Sequence, residues 1–515
     1  MTKAPKNKSD AKPGAPRRRS APENTSTLPH DDAATIAPRA GGARGTRASV
    51  RVYRQGLGDC ILLRVKRDNG DDFKLMIDCG LVLGAKDAAA KMQHVVDDIV
   101  KDTDGKVDVL AITHEHWDHL SGFNQAETSF QKLAADKVWV AWTEDDKDDL
   151  ANQLRNERKT AEKALAACAN HLRASGNDNT SEMLESIAVL EFGAAKAAGS
   201  VGDAFDKAKA KAKHPGDLKT WLPTEAPYPI PGANARIYFL GPPHDRKLIR
   251  KINPSTRSPE TYGLAMSGDG ALPLGVIATL KGVAEELGVN PEDAAPFHRR
   301  VTILCSSQKE LEALPQELAP LLRPGEINPG NHVRDFFVEN YFRPDNDWRR
   351  IDGDWLGSAA ELALALQSYT NNTSLVMAVE LGKVGEGDVL LFAADAQVGN
   401  WESWQNLQWE VDKVKVTGPD LLKRTIFYKV GHHGSHNATL RDNGLELMTA
   451  LKTAIIPVNH DEAVLKHWGK MPLEALTKAL EQKVGNAKRS IRTDEPPSDP
   501  PPDIKVTDGY VEVAI

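Results

Sequence analysis

At 515 residues the chain exceeds one average domain, so its length predicts two to four units or one domain carrying large insertions. Hydrophobic content of 40% and charged content of 27% are those of a soluble globular protein, and no run of about eighteen apolar residues is present to cross a bilayer, so no membrane partner is expected. The formal net charge is −7, yet the first 48 residues hold ten Lys or Arg against four Asp or Glu, which leaves −13 on the rest and argues against general affinity for a phosphate backbone.

Residues 1–48, rich in Pro, Gly, Ser and Ala, read as a disordered basic tail. Arg17-Arg18-Arg19 is followed by no apolar segment of an export signal. Strands are predicted at Val50–Tyr53, Cys60–Val65 and Phe73–Asp78, with Asn69-Gly70 as a hairpin turn. Asp59 reads as a turn residue supporting that pairing. Apolar spacing predicts a helix over Lys86–Val100 and then a strand over Val107–Thr113, so strand and helix alternate and the fold class is α/β.

From about 144 to 234 the composition shifts to Ala, Lys, Glu, Asp and Leu, which predicts a helical insertion. Arg236–Pro243 resumes the strand pattern, and a second, mainly helical insertion is expected over about 244–368. Ser374–Leu381 and Asp388–Asp395 form a predicted hairpin, Thr425–Val430 a further strand, and Gly509–Ile515 the closing one. Cys60, Cys79, Cys168 and Cys305 are scattered without C-x-x-C spacing, which excludes a disulfide framework and a thiolate zinc knuckle and fits reduced thiols in a cytoplasmic protein.

Chemistry concentrates at strand ends. His114-Glu115-His116-Trp117-Asp118-His119 packs three imidazoles and two carboxylates into six positions, directly after a strand. Imidazole and carboxylate are the ligands that a borderline divalent cation prefers, and His114 and His116, two apart in an extended loop, point the same way. A second cluster, Gly431-His432-His433-Gly434-Ser435-His436-Asn437, also follows a strand, and Asp395 ends another. Ligands distant in sequence would therefore converge on one rim, where two cations bridged by Asp395 would lie about 3.5 to 4 Å apart. Coordination lowers the pKa of water from about 15.7 to about 7, so no side-chain nucleophile is required. None is offered: G-x-S-x-G and Walker motifs are absent.

Ile77-Asp78-Cys79-Gly80 followed by Thr113-His114-Glu115-His116-Trp117-Asp118-His119 resembles the first two motifs of the metallo-β-lactamase superfamily. Gln55-Gly56-Leu57-Gly58-Asp59-Cys60, Asn371-Asn372-Thr373-Ser374, Phe392-Ala393-Ala394-Asp395 and Val430-Gly431-His432-His433-Gly434-Ser435 are similar, in order, to the hydrolase domain of the competence protein ComEC. The resemblance implies an αββα sandwich over 49–515, interrupted by the two insertions. It implies one metal on His114 and His116, another on Asp118 and His119 with His432 or His433, Asp395 bridging, and Asp78 orienting the site. The third histidine of the first metal has no counterpart; Asn371, Asn372 or Ser374 stands in that region, which leaves one or two ions, zinc or manganese.

Asp118 and Asp395 are the expected catalytic carboxylates. Ser435, His436 and Asn437 are candidates to donate hydrogen bonds to a substrate phosphate, with a loop-fixing role as the alternative, and Asn372 is a candidate to support the site or bind substrate. Trp401, Trp404 and Trp409 read as a core face rather than a platform for nucleobases, and His460 and His467 as structural. The leading functional expectation is a phosphodiesterase or nuclease acting on nucleic acid or a nucleotide. Hydrolysis of a small ester, lactone or amide, or a partner-regulated effector that binds a protein through its insertions, are the alternatives.

Overall fold

The computed structural model describes residues 46–159, 199–252 apart from 215, 369–466 and 471–515, with a few isolated positions between 254 and 346. Most of the basic tail, His467, residues 160–198 of the first expected insertion and most of the second lie outside the described residues. The chain divides into two units, 1–45 and 46–515, and the second is the one described.

Its strands form two large sheets. The first takes β1 (Ala48–Tyr53), β2 (Cys60–Lys66), β3 (Asp72–Cys79), β4 (Lys106–Ala111), β5 (Ala134–Ala141) and β6 (Leu218–Trp221) in sequential order. The second takes β7 (Tyr228–Pro229), β8 (Ala235–Gly241), β9 (Val376–Leu381) and β10 (Asp388–Phe392). A small hairpin of β11 (Gln408–Val411) and β12 (Val414–Thr417) intervenes before β13 (Thr425–Lys429), β14 (Thr453–Ile456) and β15 (Ser490–Arg492) complete that sheet. The chain then returns through β16 (Ile504–Val506) and β17 (Tyr510–Ala514), which pairs antiparallel with β1. The predicted hairpins are present, β2 with β3 and β9 with β10 both antiparallel.

Period-two patterning explains the layers. Val50, Val52, Ile61, Leu63, Phe73, Leu75 and Ile77 point into the space between the sheets, where Ile237, Phe239, Met377, Val379, Leu390 and Phe427 meet them. The opposite faces are covered by helices. Met92, Val96 and Ile99 of helix α1 (Ala88–Thr103), with Val201 and Phe205 of the helix Val201–Lys209, cover the first sheet. The helices Val398–Trp404 and Glu474–Val484 cover the second through Trp401, Trp404, Leu476 and Leu480. Helix, sheet, sheet, helix is the αββα sandwich.

Residues 199–234, expected inside the first insertion, are in part integral to this sandwich. The helix Val201–Lys209 buries its apolar face, β6 extends the first sheet parallel to β5, and β7 edges the second. Trp401, Trp404 and Trp409 are buried in the second outer layer, as the core reading expects.

Strands β3 to β6 run parallel, as do β10, β13, β14 and β15. Their C-terminal ends therefore share one rim, and the Leu375 N–H donates to Thr113 O at 2.9 Å, tying the rims of the two sheets together.

Candidate metal centre

The first rim supplies Asp78 at the end of β3 and the segment 114–119 after β4. The turn after Asp78 has no room for a side chain: a Cβ on Gly80 would lie 2.3 Å from the backbone C and O of Asp118. Asp78 itself takes the left-handed conformation, φ 54°, which aims its carboxylate back across the rim. There it accepts hydrogen bonds from the Thr113 N–H at 2.8 Å and the Thr113 hydroxyl at 2.6 Å, and it faces His119 Nδ1 at 2.8 Å. Burial pushes the Asp78 carboxyl up, while His119 and Thr113 pull it down.

A carboxylate only accepts, so His119 donates from Nδ1 and keeps the lone pair of Nε2. That Nε2 is buried without a hydrogen bond, 3.3 Å from Asp395 Oδ2 and 3.9 Å from Asp118 Oδ2. His433 is arranged alike. Its Nδ1 donates to Pro457 O at 2.7 Å and its Nε2 meets Asp118 Oδ2 at 2.9 Å. Asp118 Oδ2, His119 Nε2, Asp395 Oδ2 and His433 Nε2 thus form a convergent set, all within 4.8 Å of one another.

Two imidazoles and two carboxylates converge on one point, and once the rings are deprotonated their chemistry is that of zinc or manganese ligands. The residues fit a divalent ion. Burial acts to raise the Asp118 carboxyl, but the His119 and His433 imidazoles outweigh it and hold the group at about 2. Asp395 is likewise held well below the carboxylate range against burial, by His119 and then His432 and His433.

His114 and His116, expected on a separate metal bridged by Asp395, lie next to this group. The Thr113 hydroxyl hydrogen goes to Asp78, so His114 Nδ1 donates to Thr113 Oγ1 at 3.0 Å, and His114 Nε2 then accepts from His116 Nδ1 at 3.0 Å. One imidazole lone pair is spent on the other imidazole. His114 Nε2 lies 4.0 Å from Asp395 Oδ2, and both histidines stand beside the convergent group rather than in it. From the loop where a third histidine is missing, the neutral Ser374 Oγ lies 3.4 Å from His114 Nδ1, while the Asn371 amide faces His432.

His432, an alternative ligand to His433, also lies outside the group. Its Nδ1 donates to Ser435 Oγ at 2.7 Å and its Nε2 accepts from Asn371 Nδ2 at 3.2 Å, and burial, opposed by Asp395, lowers it to about 4. Asn372, expected either to support the site or to bind substrate, is engaged by the backbone. Its Nδ2 donates to the carbonyls of Leu248, Ile249 and Lys251 and its Oδ1 accepts from the Gln397 N–H, so nothing is left for a ligand. Ser435 donates to Asn437 Oδ1, and Asn437 donates to Ile252 O, which fixes the loop.

Asp59 is more than a turn residue. It is 1% exposed, and with Asp78 and His119 it makes a second group, in which His119 Nδ1 faces both carboxylates. Lys429, the last residue of the central strand β13, fills that group: its ammonium pairs with Asp59, reaches Ala394 O at 3.1 Å and lies 3.9 Å from Asp395 Oδ1. Burial works to lower the Lys429 amine, and Asp59 and Asp395 raise it above its ordinary value. The readable signal was a lysine closing an otherwise apolar run, Thr425-Ile426-Phe427-Tyr428, in a strand flanked on both sides.

Against known proteins, residues 53–154 match the model of the metallo-beta-lactamase superfamily. That stretch holds Asp59, Asp78 and the whole 114–119 segment and ends before Asp395. The match implies a metal-dependent hydrolase, in agreement with the ligand group assembled across the two sheets. No curated protein and no solved structure matches the chain. Among the described residues, no helix is long and apolar enough to cross a membrane.

Proposed function

We propose that this protein is a metal-dependent phosphodiesterase or nuclease centred on Asp118, His119, Asp395 and His433. The observation that carries the reading is the convergence of those four side chains from two sheets, with both histidines locked by their Nδ1 hydrogen bonds so that Nε2 faces inward. A divalent cation, zinc or manganese, bound there would supply Lewis acidity and make hydroxide available near neutral pH.

The chain's own residues do the remaining work. Asp118 and Asp395 are ionised at neutral pH and supply the charge that holds a cation. Asp78 fixes the His119 ring, and the Asn371 amide stands beside the group as a neutral polar contact for a substrate. The phosphodiester class is supported by the likeness of the Asp395 and His432-His433 motifs to the ComEC hydrolase domain. It is also supported by the lack of a side-chain nucleophile. The charge of −13 beyond the first 48 residues favours a smaller ester, lactone or amide as the second reading.

Metal analysis of purified protein, followed by turnover on single-stranded DNA, duplex DNA, RNA, bis-p-nitrophenyl phosphate, a lactone and nitrocefin, separates the readings. Metal-dependent cleavage of a phosphodiester, lost in Asp118→Ala, is the expected result. Turnover confined to the lactone or nitrocefin overturns the phosphodiester assignment.

A further inference from the structure

The four converging ligands come from two different sheets, and something has to set the gap between them. Asp118 and His119 follow β4 of the first sheet; Asp395 and His433 follow β10 and β13 of the second. Resting on the metal-centre reading above, we infer that the buried Asp59–Lys429 ion pair is the positioning device that fixes this separation, and with it the affinity and geometry of the bound cation.

Each half of the pair is anchored to one side. Asp59 belongs to the loop between β1 and β2, and its backbone grips both elements that carry first-sheet residues: its N–H donates to Asp118 O at 3.0 Å and its carbonyl accepts from the Gly80 N–H at 2.9 Å. Lys429 ends β13, three residues before His432, and its ammonium donates to Ala394 O, the carbonyl immediately before Asp395. The side chains meet between the sheets, where Asp59 Oδ2 pairs with Lys429 Nζ and Asp59 Oδ1 lies 4.0 Å from His433 Nδ1. One continuous chain of contacts therefore runs from the Asp118 backbone to the Asp395 backbone.

Burial makes the strut stiff. Lys429 is 0% exposed and Asp59 1%, so neither group has water to turn to, and separating them would strand an uncompensated charge in the interior. A shorter or apolar residue at 429 would release the Ala394 carbonyl and let the second-sheet ligands drift from the first-sheet pair. Ligand sets tolerate little of this: loss of the partners that orient metal ligands lowers affinity by roughly 10- to 100-fold.

The test measures the metal directly in the full chain. Wild type, Lys429→Met, Asp59→Asn and the double variant are titrated with zinc against a chelator and with cobalt(II) for its d–d absorption bands, with folding checked by thermal melts in chelator. Expected is a loss of at least about 10-fold in zinc affinity for each single variant, shifted cobalt bands, and a double variant no weaker than either single. Asp59→Asn, nearly isosteric, carries the measurement if Lys429→Met does not fold. Folded variants with wild-type affinity and cobalt bands, or losses that simply add in the double variant, overturn the inference alone. A wild-type protein that takes up no metal overturns the functional reading beneath it as well.

Discussion

His119 and His433 differ from His114 and His116 in how their nitrogens are spent. The first two give Nδ1 to an acceptor behind the ring, Asp78 and Pro457 O, and so present Nε2 to a shared point. In the other pair, His114 gives Nδ1 to Thr113 but its Nε2 takes the proton of His116. The residue types are identical, so what prepares a metal ligand is the acceptor behind the ring and the carboxylates in front of it. Asp118 and Asp395 gather at the first pair, whereas the neutral Ser374 hydroxyl lies beside His114, with Asp395 Oδ2 4.0 Å from its Nε2.

Substitutions can break this contrast at several depths. Asp118→Ala should release the metal and lower turnover on the order of 10³-fold, since a Lewis-acid cation contributes several kcal/mol; metal content after gel filtration and initial rates check it. Next in size is Asp78→Asn, which leaves the His119 ring unlocked and should weaken zinc binding roughly 10- to 100-fold in a chelator competition. His116→Ala should change zinc affinity less than about 10-fold and leave the stoichiometry at one per chain. A drop from two ions to one in that variant would show that the leaning pair opens to hold its own cation, and the contrast would fail.

The smallest effect concerns metal-free protein. Asp118, held at about 2 in the fold against an ordinary value of about 3.9, stabilises the protein fully above the higher value and loses that contribution as pH falls through the lower. Thermal melts in chelator should therefore place Asp118→Asn below wild type at pH 6, with a gap that shrinks by pH 3. A gap independent of pH would mean that the carboxylate gains nothing from His119 and His433.

The rim was legible where chemistry is contiguous and opaque where it depends on contact. Residues 114–119 announce themselves by density, and Asp395 by its place at a strand end before a turn. Between Asn371 and Asn372, sequence gives no way to choose, because the one that faces His432 is decided by a backbone turn whose other amide is claimed by the Leu248–Lys251 carbonyls. His432 and His433 pose the same problem, because which ring reaches the Pro457 carbonyl depends on a tertiary contact. Asp59 and Lys429 were passed over because their partnership spans 370 positions of chain and exists only once the sheets stack. The strand pattern gave the α/β class and the family resemblance the sandwich, but the helix Val201–Lys209 and strands β6 and β7 look compositionally like the insertion that precedes them.

The missing Cβ at position 80 carries a mechanical meaning. With the Asp118 peptide lying where a methyl group would sit, the turn after β3 and the helical turn Trp117–Leu120 are stacked backbone on backbone, with no compressible side chain as a cushion. Thermal jostling of one must displace the other, so Asp78 travels with the His119 ring it steadies. Alanine at that position would act as a wedge, and because the neighbour that must yield carries Asp118 and His119, lost stability and blurred coordination geometry would arrive together.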